Sequence, residues 1–229
     1  GLFSSGSVHA LAEHLYALLE FIKRSEVGEV FLHLFTDGRD APPNEAAGLI
    51  SELEEKLEKD YPKIKISSLI GRNFAMDRDG HWDKIEKAYR IFTEGKGETF
   101  KKPSLYLKQC YEKNIYDEFV PPASLVDENN EVVGTIKNGD AAIFFNFRED
   151  SMRQISSAFI KKDFPHFGRP ELRDVLFVTM TEYEAGMGAL VAFPPLSVEN
   201  PLAGVVSEAG LLQLHIGETE KYAHITYFF

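Results

Sequence analysis

Arginines are few in this chain, and their placement is its first sign of chemistry. Only nine occur among 229 residues. Arg39, Arg72 and Arg148 each follow an apolar segment with the composition of a buried β-strand. A guanidinium forks onto carboxylate or phosphate oxygens, so arginines brought together favour a small ligand with several negative charges. The alternative is that each arginine simply pairs with one of the many acidic residues on the surface.

The elements that must position these arginines follow from apolar spacing. Buried strands are predicted over residues 29–36, 64–70, 141–147 and 174–181. Helices are predicted over residues 9–24, 44–59, 81–93, 103–113 and 150–160. Strands alternating with helices of this length indicate an α/β fold, with a mainly parallel sheet flanked by helices. Ligands of such sheets bind beyond the carboxyl ends of the strands, so the three arginines are expected at one rim.

Asp40 is the candidate proton acceptor at this rim. It lies beside Arg39 in a turn stiffened by Pro42 and Pro43. A carboxylate among arginines stays ionised and can accept a proton from a substrate hydroxyl. An Asp shortly before a helix is equally typical of a helix cap, so both interpretations stay open. Asp37 is expected to shape the turn.

His9 and Lys221 are weaker candidates. His9 follows the small-residue loop 4–8, whose backbone N–H groups could cradle an anion while His9 donates a further hydrogen bond. Loops of this composition before a helix are common without any ligand. Lys221 precedes a predicted last strand over residues 225–229, where a lone lysine is ordinarily a surface residue.

Composition excludes several classes of protein. A net charge of −11 argues against general nucleic-acid binding or binding to acidic membranes. No apolar run is long enough to span a bilayer, so no membrane segment is expected. The single cysteine, Cys110, excludes an internal disulfide and favours a cytoplasmic location. No spacing of His, Cys, Asp or Glu matches a metal signature.

Both ends of the chain suggest a fragment of a longer protein. The chain begins with Gly1 directly before apolar residues, and it ends inside the predicted strand 225–229. The segment Phe193-Pro194-Pro195 is either a hinge between domains or a surface loop, and composition alone does not choose between them.

Six strings, in order along the whole chain, resemble one family. These are Thr36-Asp-Gly-Arg-Asp-Ala-Pro-Pro43, Gly71-Arg-Asn-Phe-Ala-Met-Asp-Arg78, Phe144-Phe-Asn-Phe-Arg148, Phe177-Val-Thr-Met-Thr-Glu-Tyr183, Val191-Ala-Phe-Pro-Pro195 and Glu218-Thr-Glu-Lys-Tyr-Ala-His224. They resemble the cofactor-independent (2,3-bisphosphoglycerate-independent) phosphoglycerate mutases. These isomerases interconvert 3-phosphoglycerate and 2-phosphoglycerate through a phosphoserine intermediate in glycolysis and gluconeogenesis.

The resemblance implies a two-domain parent enzyme. Residues 1–195 would be most of a transferase domain inserted into an alkaline-phosphatase-like domain, and residues 196–229 would be the hinge and the first elements of the return. The serine nucleophile and most ligands of two Mn²⁺ or similar ions would lie outside this chain. The fragment alone would bind no metal and would be inactive. Its partners would be the phosphoglycerates and the phosphatase domain of the same polypeptide.

Carried over by motif, the resemblance also assigns site residues. The residues that would bind phosphoglycerate are His9, Arg39, Asp40, Arg72, Arg78 and Arg148. Lys221 would contact the substrate from the phosphatase side of the cleft. Asp40 is similar to the residue that acts as base on the glycerate hydroxyls.

Two departures from the family pattern bear on phosphate affinity. The family usually has a second arginine where Ser151 stands. Arg153 is the candidate to replace it as a substrate-binding residue, although it lies two residues further on, about 200° around a helix. Ser5 and Ser7 stand where the family tends to have Asp and Gly. Ser151 is the best support for an alternative in which the chain is a non-catalytic anion-binding module on the same scaffold.

Overall fold

A computed structural model describes residues 1–25, 27–195 and 198–226. The chain divides into two units, Gly1–Pro194 and Pro195–Phe229. The predicted site residues other than Lys221 lie in the first unit. In the described part of the chain no helix has the length and hydropathy required to cross a membrane.

Two sheets form the framework of the first unit. Four strands make the first sheet, in the order β1-β2-β4-β3: β1 (Val30–Thr36), β2 (Ile64–Gly71), β3 (Glu98–Phe100) and β4 (Ala123–Leu125). Strand β1 runs parallel to β2, from Val30 opposite Ile64 to Thr36 opposite Gly71. Strand β4 is antiparallel to β2 and parallel to β3. Because β1 and β2 end side by side, the residues that follow them are close in space.

The second sheet is wholly parallel. It consists of β5 (Ala141–Phe144), β6 (Leu176–Thr179) and β7 (Leu190–Val191), paired in that order. Among its described residues, the first unit has a short 3-10 helix (Asp117–Phe119) and the α-helices α1 (Ala12–Lys23), α2 (Ala46–Asp60), α3 (Arg72–Ala75), α4 (Trp82–Glu94), α5 (Pro103–Glu112) and α6 (Arg153–Ile160). Mostly parallel sheets flanked by helices confirm the predicted α/β class.

Each long helix buries one stripe of apolar side chains. In α2 the residues Ile50, Leu53 and Leu57 are buried at intervals of three and four, while the charged residues between them lie outside. Helix α4 ends at Glu94 because Gly95 adopts a left-handed conformation, with φ 67°, that caps the helix. This regular spacing is what makes the long helices predictable from sequence.

Two expectations need correction. The four predicted strands fall into two sheets: β1 and β2 belong to the first, and β5 and β6 to the second. The first sheet also contains β3 and β4, which were not predicted because segments of three residues are too short for a period-2 pattern.

The predicted last strand is wrong where it can be compared. The second unit contains α7 (Leu202–Glu208), a 3-10 turn (Thr219–Lys221) and α8 (Tyr222–Thr226), so residues 225–226 are helical. Residues 227–229 lie outside the described residues.

Candidate functional site

The turn after β1 is organised around Asp37. Its Oδ1 accepts the backbone N–H groups of Arg39 and Asp40 at 3.1 and 3.0 Å, and its Oδ2 accepts the Ser4 hydroxyl at 2.8 Å. Burial of Asp37 opposes ionisation, but hydrogen bonds from Asp40 N–H, Arg72 and Ser4 outweigh it and lower the pKa of Asp37. Asp37 therefore stays ionised and shapes the turn, as its position in the sequence predicted.

A second turn, after β2, delivers Arg72 to the same place. Gly71 lies so close to the segment 117–120 that a Cβ on it would come within 2.4 Å of the Glu118 carbonyl oxygen. This close approach explains why glycine precedes Arg72. The Arg72 guanidinium is buried and donates from Nη1 to Asp37 Oδ1 at 2.7 Å and to Asp40 Oδ2 at 2.5 Å.

His9 completes this group as a neutral imidazole. Its Nε2 lies 3.0 Å from Arg72 Nη2, and because a guanidinium only donates, Nε2 must accept and the ring proton must be on Nδ1. Burial first, and then the charge of Arg72, lower the pKa of His9 to about 4. Its Nδ1 is buried and has no hydrogen-bond partner among the described residues; it lies 3.8 Å from Asp150 Oδ1.

Arg78 and Arg148 converge on Asp150 at the other end of His9. Asp150 Oδ2 accepts from Arg78 Nη1 at 2.6 Å and from Arg148 Nη2 and Nε at 2.9 and 3.1 Å. Arg148 reaches this position because its N–H, like that of Phe147, is hydrogen-bonded to the His9 carbonyl. Both arginines are partly exposed, so this end of the cluster is open to solvent.

The cluster is electrically balanced. Its three arginines, Arg72, Arg78 and Arg148, face three carboxylates, Asp37, Asp40 and Asp150. The carboxylates between the arginines reduce the repulsion among their positive charges, so that the three side chains can lie close together. Guanidinium N–H groups that are not used by these pairs remain available to carboxylate or phosphate oxygens of a ligand.

Comparison with known proteins identifies the family. The family model described as BPG-independent PGAM N-terminus matches residues 1–185. The chain belongs to this family. It is 44% identical over its whole length to a 2,3-bisphosphoglycerate-independent phosphoglycerate mutase of Moorella thermoacetica and 46% identical to one of Clostridium beijerinckii.

The family relatives are much longer than this chain. The chain spans 44% of the length of the Moorella and Clostridium proteins. A crystal structure of Leishmania mexicana phosphoglycerate mutase, obtained at low cobalt concentration, superposes with a TM-score of 0.88 at 30% sequence identity. That similarity covers 100% of this chain and 43% of the Leishmania chain.

Five of the predicted site residues are brought together in this family member. They are His9, Asp40, Arg72, Arg78 and Arg148, joined through the contacts above. Of the three arginines expected at one rim, Arg72 and Arg148 lie in the cluster, and each also has an acidic partner. Arg39 does not join them but pairs with Glu118, as the alternative interpretation expected. Asp150, which joins Arg78 and Arg148, was missed by sequence reasoning. Its only signal was its position two residues after Arg148.

The other predicted residues have different surroundings. Arg39 extends towards solvent and pairs with Glu118, which accepts from its Nε at 3.1 Å and also from Nη2. Arg153 donates to the Tyr183 carbonyl at 2.9 Å and contacts Glu149. Lys221 lies in the second unit, at the end of a 3-10 turn.

The helix-cap alternative for Asp40 is wrong. Helix α2 begins at Ala46, six residues later, and the Ala46 N–H donates to Asp117 Oδ2 at 2.9 Å. Asp117 is buried, and burial raises its pKa to about 6 despite hydrogen bonds that favour ionisation. Asp40 instead faces Arg72 and His9 and is partly exposed.

Two N–H groups of the small-residue loop before His9 are already occupied. Ser5 donates its N–H and its hydroxyl to the two carboxylate oxygens of Glu45, at 2.8 and 2.7 Å. The Gly6 N–H donates to the Ser4 hydroxyl oxygen at 3.2 Å. An anion bound by these two N–H groups would have to displace their acceptors.

One group of side chains in the described residues has the ligand types and spacing for a metal ion: Asp77, Asp79 and His81. Asp77 Oδ2 already accepts the N–H groups of Asp79 and His81, and Asp77 Oδ1 lies 2.8 Å from His81 Nδ1. These bonds hold a loop together and explain the three residues without a metal. The group does not fit a two-metal centre, which needs more ligands than it offers.

Proposed function

We propose that this chain is the substrate-binding part of a phosphoglycerate mutase. In the whole polypeptide it would help interconvert 3-phosphoglycerate and 2-phosphoglycerate through a phosphoserine intermediate. Residues 1–195 would belong to the transferase domain, and residues 196–229 would be the hinge and the return into a phosphatase-like domain. The observation that carries the proposal is the cluster of Arg72, Arg78 and Arg148 around His9 and Asp40 in a member of this family.

The cluster fits the charges of a phosphoglycerate. The substrate has a phosphate at one position and a carboxylate at another, and each can accept a pair of guanidinium N–H bonds. Arg78 and Arg148 are the accessible arginines, whereas Arg72 is buried behind Asp40. The buried Nδ1–H of His9 has no hydrogen-bond partner among the described residues, and it would donate to a ligand oxygen only after the groups around it move. Arg39 and Arg153 would join the site by movements of their exposed side chains, and Lys221 remains a substrate contact that the family resemblance implies.

Asp40 is the proposed base. Once the serine has taken the phosphoryl group, a glycerate hydroxyl must attack the phosphorus, forming a new P–O bond while the bond to the serine oxygen breaks. Asp40 accepts the proton of that hydroxyl, which makes the alcohol a competent nucleophile. Arg72 holds the Asp40 carboxylate at the edge of the cluster, where its partial exposure allows a substrate to reach it.

The serine and two Mn²⁺ or similar ions would be supplied by the polypeptide outside this chain. Such ions stabilise charge on phosphoryl oxygens and activate nucleophiles. The residues described here would therefore bind and orient the glycerate and accept its proton. Under this proposal, the site would lie between this chain and the phosphatase-like domain.

A second candidate function is anion binding without catalysis. Ser151 supports it, because the position where the family usually has an arginine is here occupied by a buried serine. This serine donates its N–H to Asp150 Oδ1 at 2.8 Å. One positive charge fewer weakens the attraction for phosphate.

An assay of the complete polypeptide separates the two candidates. We expect it to convert 3-phosphoglycerate in a coupled enolase assay with added manganese, and to lose most activity when Arg148 is replaced by alanine. Arg173→Ala is the matched control, because the Arg173 side chain is exposed and outside the cluster. Binding of phosphoglycerate without turnover would favour the module, and absence of both would refute the proposal.

A further inference from the structure

Asp150 is the one residue of the cluster that connects two arginines from distant parts of the chain. Arg78 lies 72 residues before it, in the loop beyond α3, whereas Arg148 lies two residues before it, after β5. Both guanidiniums donate to the same carboxylate oxygen, Oδ2. Within the described residues, neither arginine has another carboxylate partner.

The Asp150 carboxylate is itself held in place from its other oxygen. Oδ1 accepts the Ser151 N–H at 2.8 Å, and the Ser151 hydroxyl lies 3.3 Å away. Ser151 is buried, so this anchor belongs to the packed interior. Nearby arginines, Arg148 first, outweigh the effect of burial and lower the pKa of Asp150, which is therefore ionised at neutral pH.

The shared Asp150 carboxylate reduces the repulsion between the Arg78 and Arg148 guanidiniums. Two guanidiniums close enough to grip one ligand repel each other, and the repulsion would drive the exposed side chains apart. A single negative charge between them removes the repulsion and costs each arginine only part of its donors. Arg78 uses Nη1 alone, and Arg148 uses Nε and Nη2. The other N–H groups can then turn towards a ligand at a set spacing.

From this geometry we infer that Asp150 is a positioning residue. It makes Arg78 and Arg148 a single anion-binding pair for one ligand group, without itself touching the ligand. The inference rests on the proposed function for the identity of the ligand, a phosphoglycerate. The pairing of the two arginines by Asp150 does not depend on that function.

The first test is spectroscopic and needs no ligand. In the 229-residue chain, the Arg148 Nε–H should give a protected NMR signal because it donates to Asp150. Asp150→Asn should broaden or shift that signal, and Asp150→Glu should partly restore it. Asp79→Asn is the matched control, a carboxylate exposed in the loop next to Arg78. If the Arg148 signal is unchanged in Asp150→Asn, Asp150 does not hold the arginine and the inference is overturned.

The second test measures coupling between the arginines by calorimetry with 3-phosphoglycerate. Asp150→Asn should weaken binding about tenfold to a hundredfold, the worth of one charged hydrogen-bonding partner. In the wild type, Arg78→Ala and Arg148→Ala should be non-additive, because losing either disrupts the pair. In the Asp150→Asn background the two effects should add.

Tighter binding by Asp150→Asn would mean that Asp150 competes with the ligand, and would overturn the inference. Equal non-additivity with and without Asp150 would also overturn it. If 3-phosphoglycerate does not bind at all, the proposed function fails. The same set of single and double variants, titrated with inorganic phosphate, then tests whether Asp150 couples the two arginines. The Arg148 NMR signal tests it without any ligand.

Discussion

The two ends of the arginine cluster use the same chemistry in different surroundings. At the inner end, the buried Arg72 contacts the buried Asp37 and His9 and the partly exposed Asp40. At the outer end, Arg78 and Arg148 share Asp150 and remain partly exposed. A buried ion pair cannot lose one partner without leaving a charge out of water, whereas exposed arginines are readily solvated. The ion pairs of the inner end therefore contribute to the stability of the fold. The arginines of the outer end can exchange Asp150 for the oxygens of a ligand at little cost in stability.

The largest expected effect is the absence of mutase activity in the 229-residue chain. Both ends are proposed to bind the substrate, and the serine that would accept the phosphoryl group is proposed to lie outside this chain, so the 229-residue chain alone should not interconvert the phosphoglycerates. A coupled enolase assay with excess manganese checks this. Turnover by material free of host mutase would show that the chain holds a complete active site, and the comparison between two binding ends would fail.

Asp40→Asn in the complete polypeptide tests the chemical role of the inner end. It should lower mutase activity by about 10²–10⁴-fold, the usual contribution of a general base, while substrate binding is largely retained. Phosphoserine formed from phosphoglycerate should remain detectable by mass spectrometry after an acid quench. Loss of the phosphoenzyme together with turnover would assign Asp40 to the first transfer or to structure alone.

Replacing one arginine at each end measures the difference directly. Arg72→Ala leaves the buried Asp37 carboxylate without its cation and should destabilise the chain by about 3–5 kcal/mol. Arg148→Ala should cost about 1 kcal/mol or less, because the pair it breaks is near solvent. Both variants should weaken phosphoglycerate binding by about 1.5–3 kcal/mol. Urea unfolding and calorimetry report the two quantities, and equal loss of stability would contradict the distinction.

The inner end should also respond to acid through His9. Burial lowers the pKa of His9 to about 4, below its ordinary value of 6.5, so between these values the unfolded chain binds more protons. Stability due to His9 is therefore complete above about pH 6.5 and is lost as the pH falls towards 4. His9→Gln should remove this part of the dependence in urea titrations. Asp117, whose pKa is raised to about 6, has the opposite effect on stability over this pH range. That effect is the same in the wild type and in His9→Gln, so it does not disturb the comparison.

Arg39 should give the smallest change in stability. Its pair with Glu118 is exposed on the arginine side, so Glu118→Gln should alter the free energy of unfolding by about 0–1 kcal/mol. If Arg39 joins the substrate as proposed, releasing it should leave phosphoglycerate binding unchanged or strengthen it. Weaker binding in Glu118→Gln would show that Glu118 holds Arg39 in its binding position.

Local pattern explains which parts of the fold were predictable. Strands β1 and β2 and helices α2 and α4 have spacing that repeats over many residues, and they were predicted within a few residues of their bounds. Strands β3 and β4 have three residues each, and pairing with distant segments creates them. The same reason explains the error at residues 225–226, where aromatic and β-branched residues favoured a strand but the chain forms a helix.

The sequence by itself determined that arginines follow buried strands, that Asp40 lies beside one of them, and that the strings around them are those of a known family. Tertiary structure alone decided which acid meets which arginine. His9 and Arg72 are 63 residues apart, and Arg78 and Asp150 are 72 apart. Local periodicity reports only which face of an element is buried, whereas these contacts depend on how separate turns pack. That packing made Asp150 part of the cluster and kept Asp40 from capping a helix.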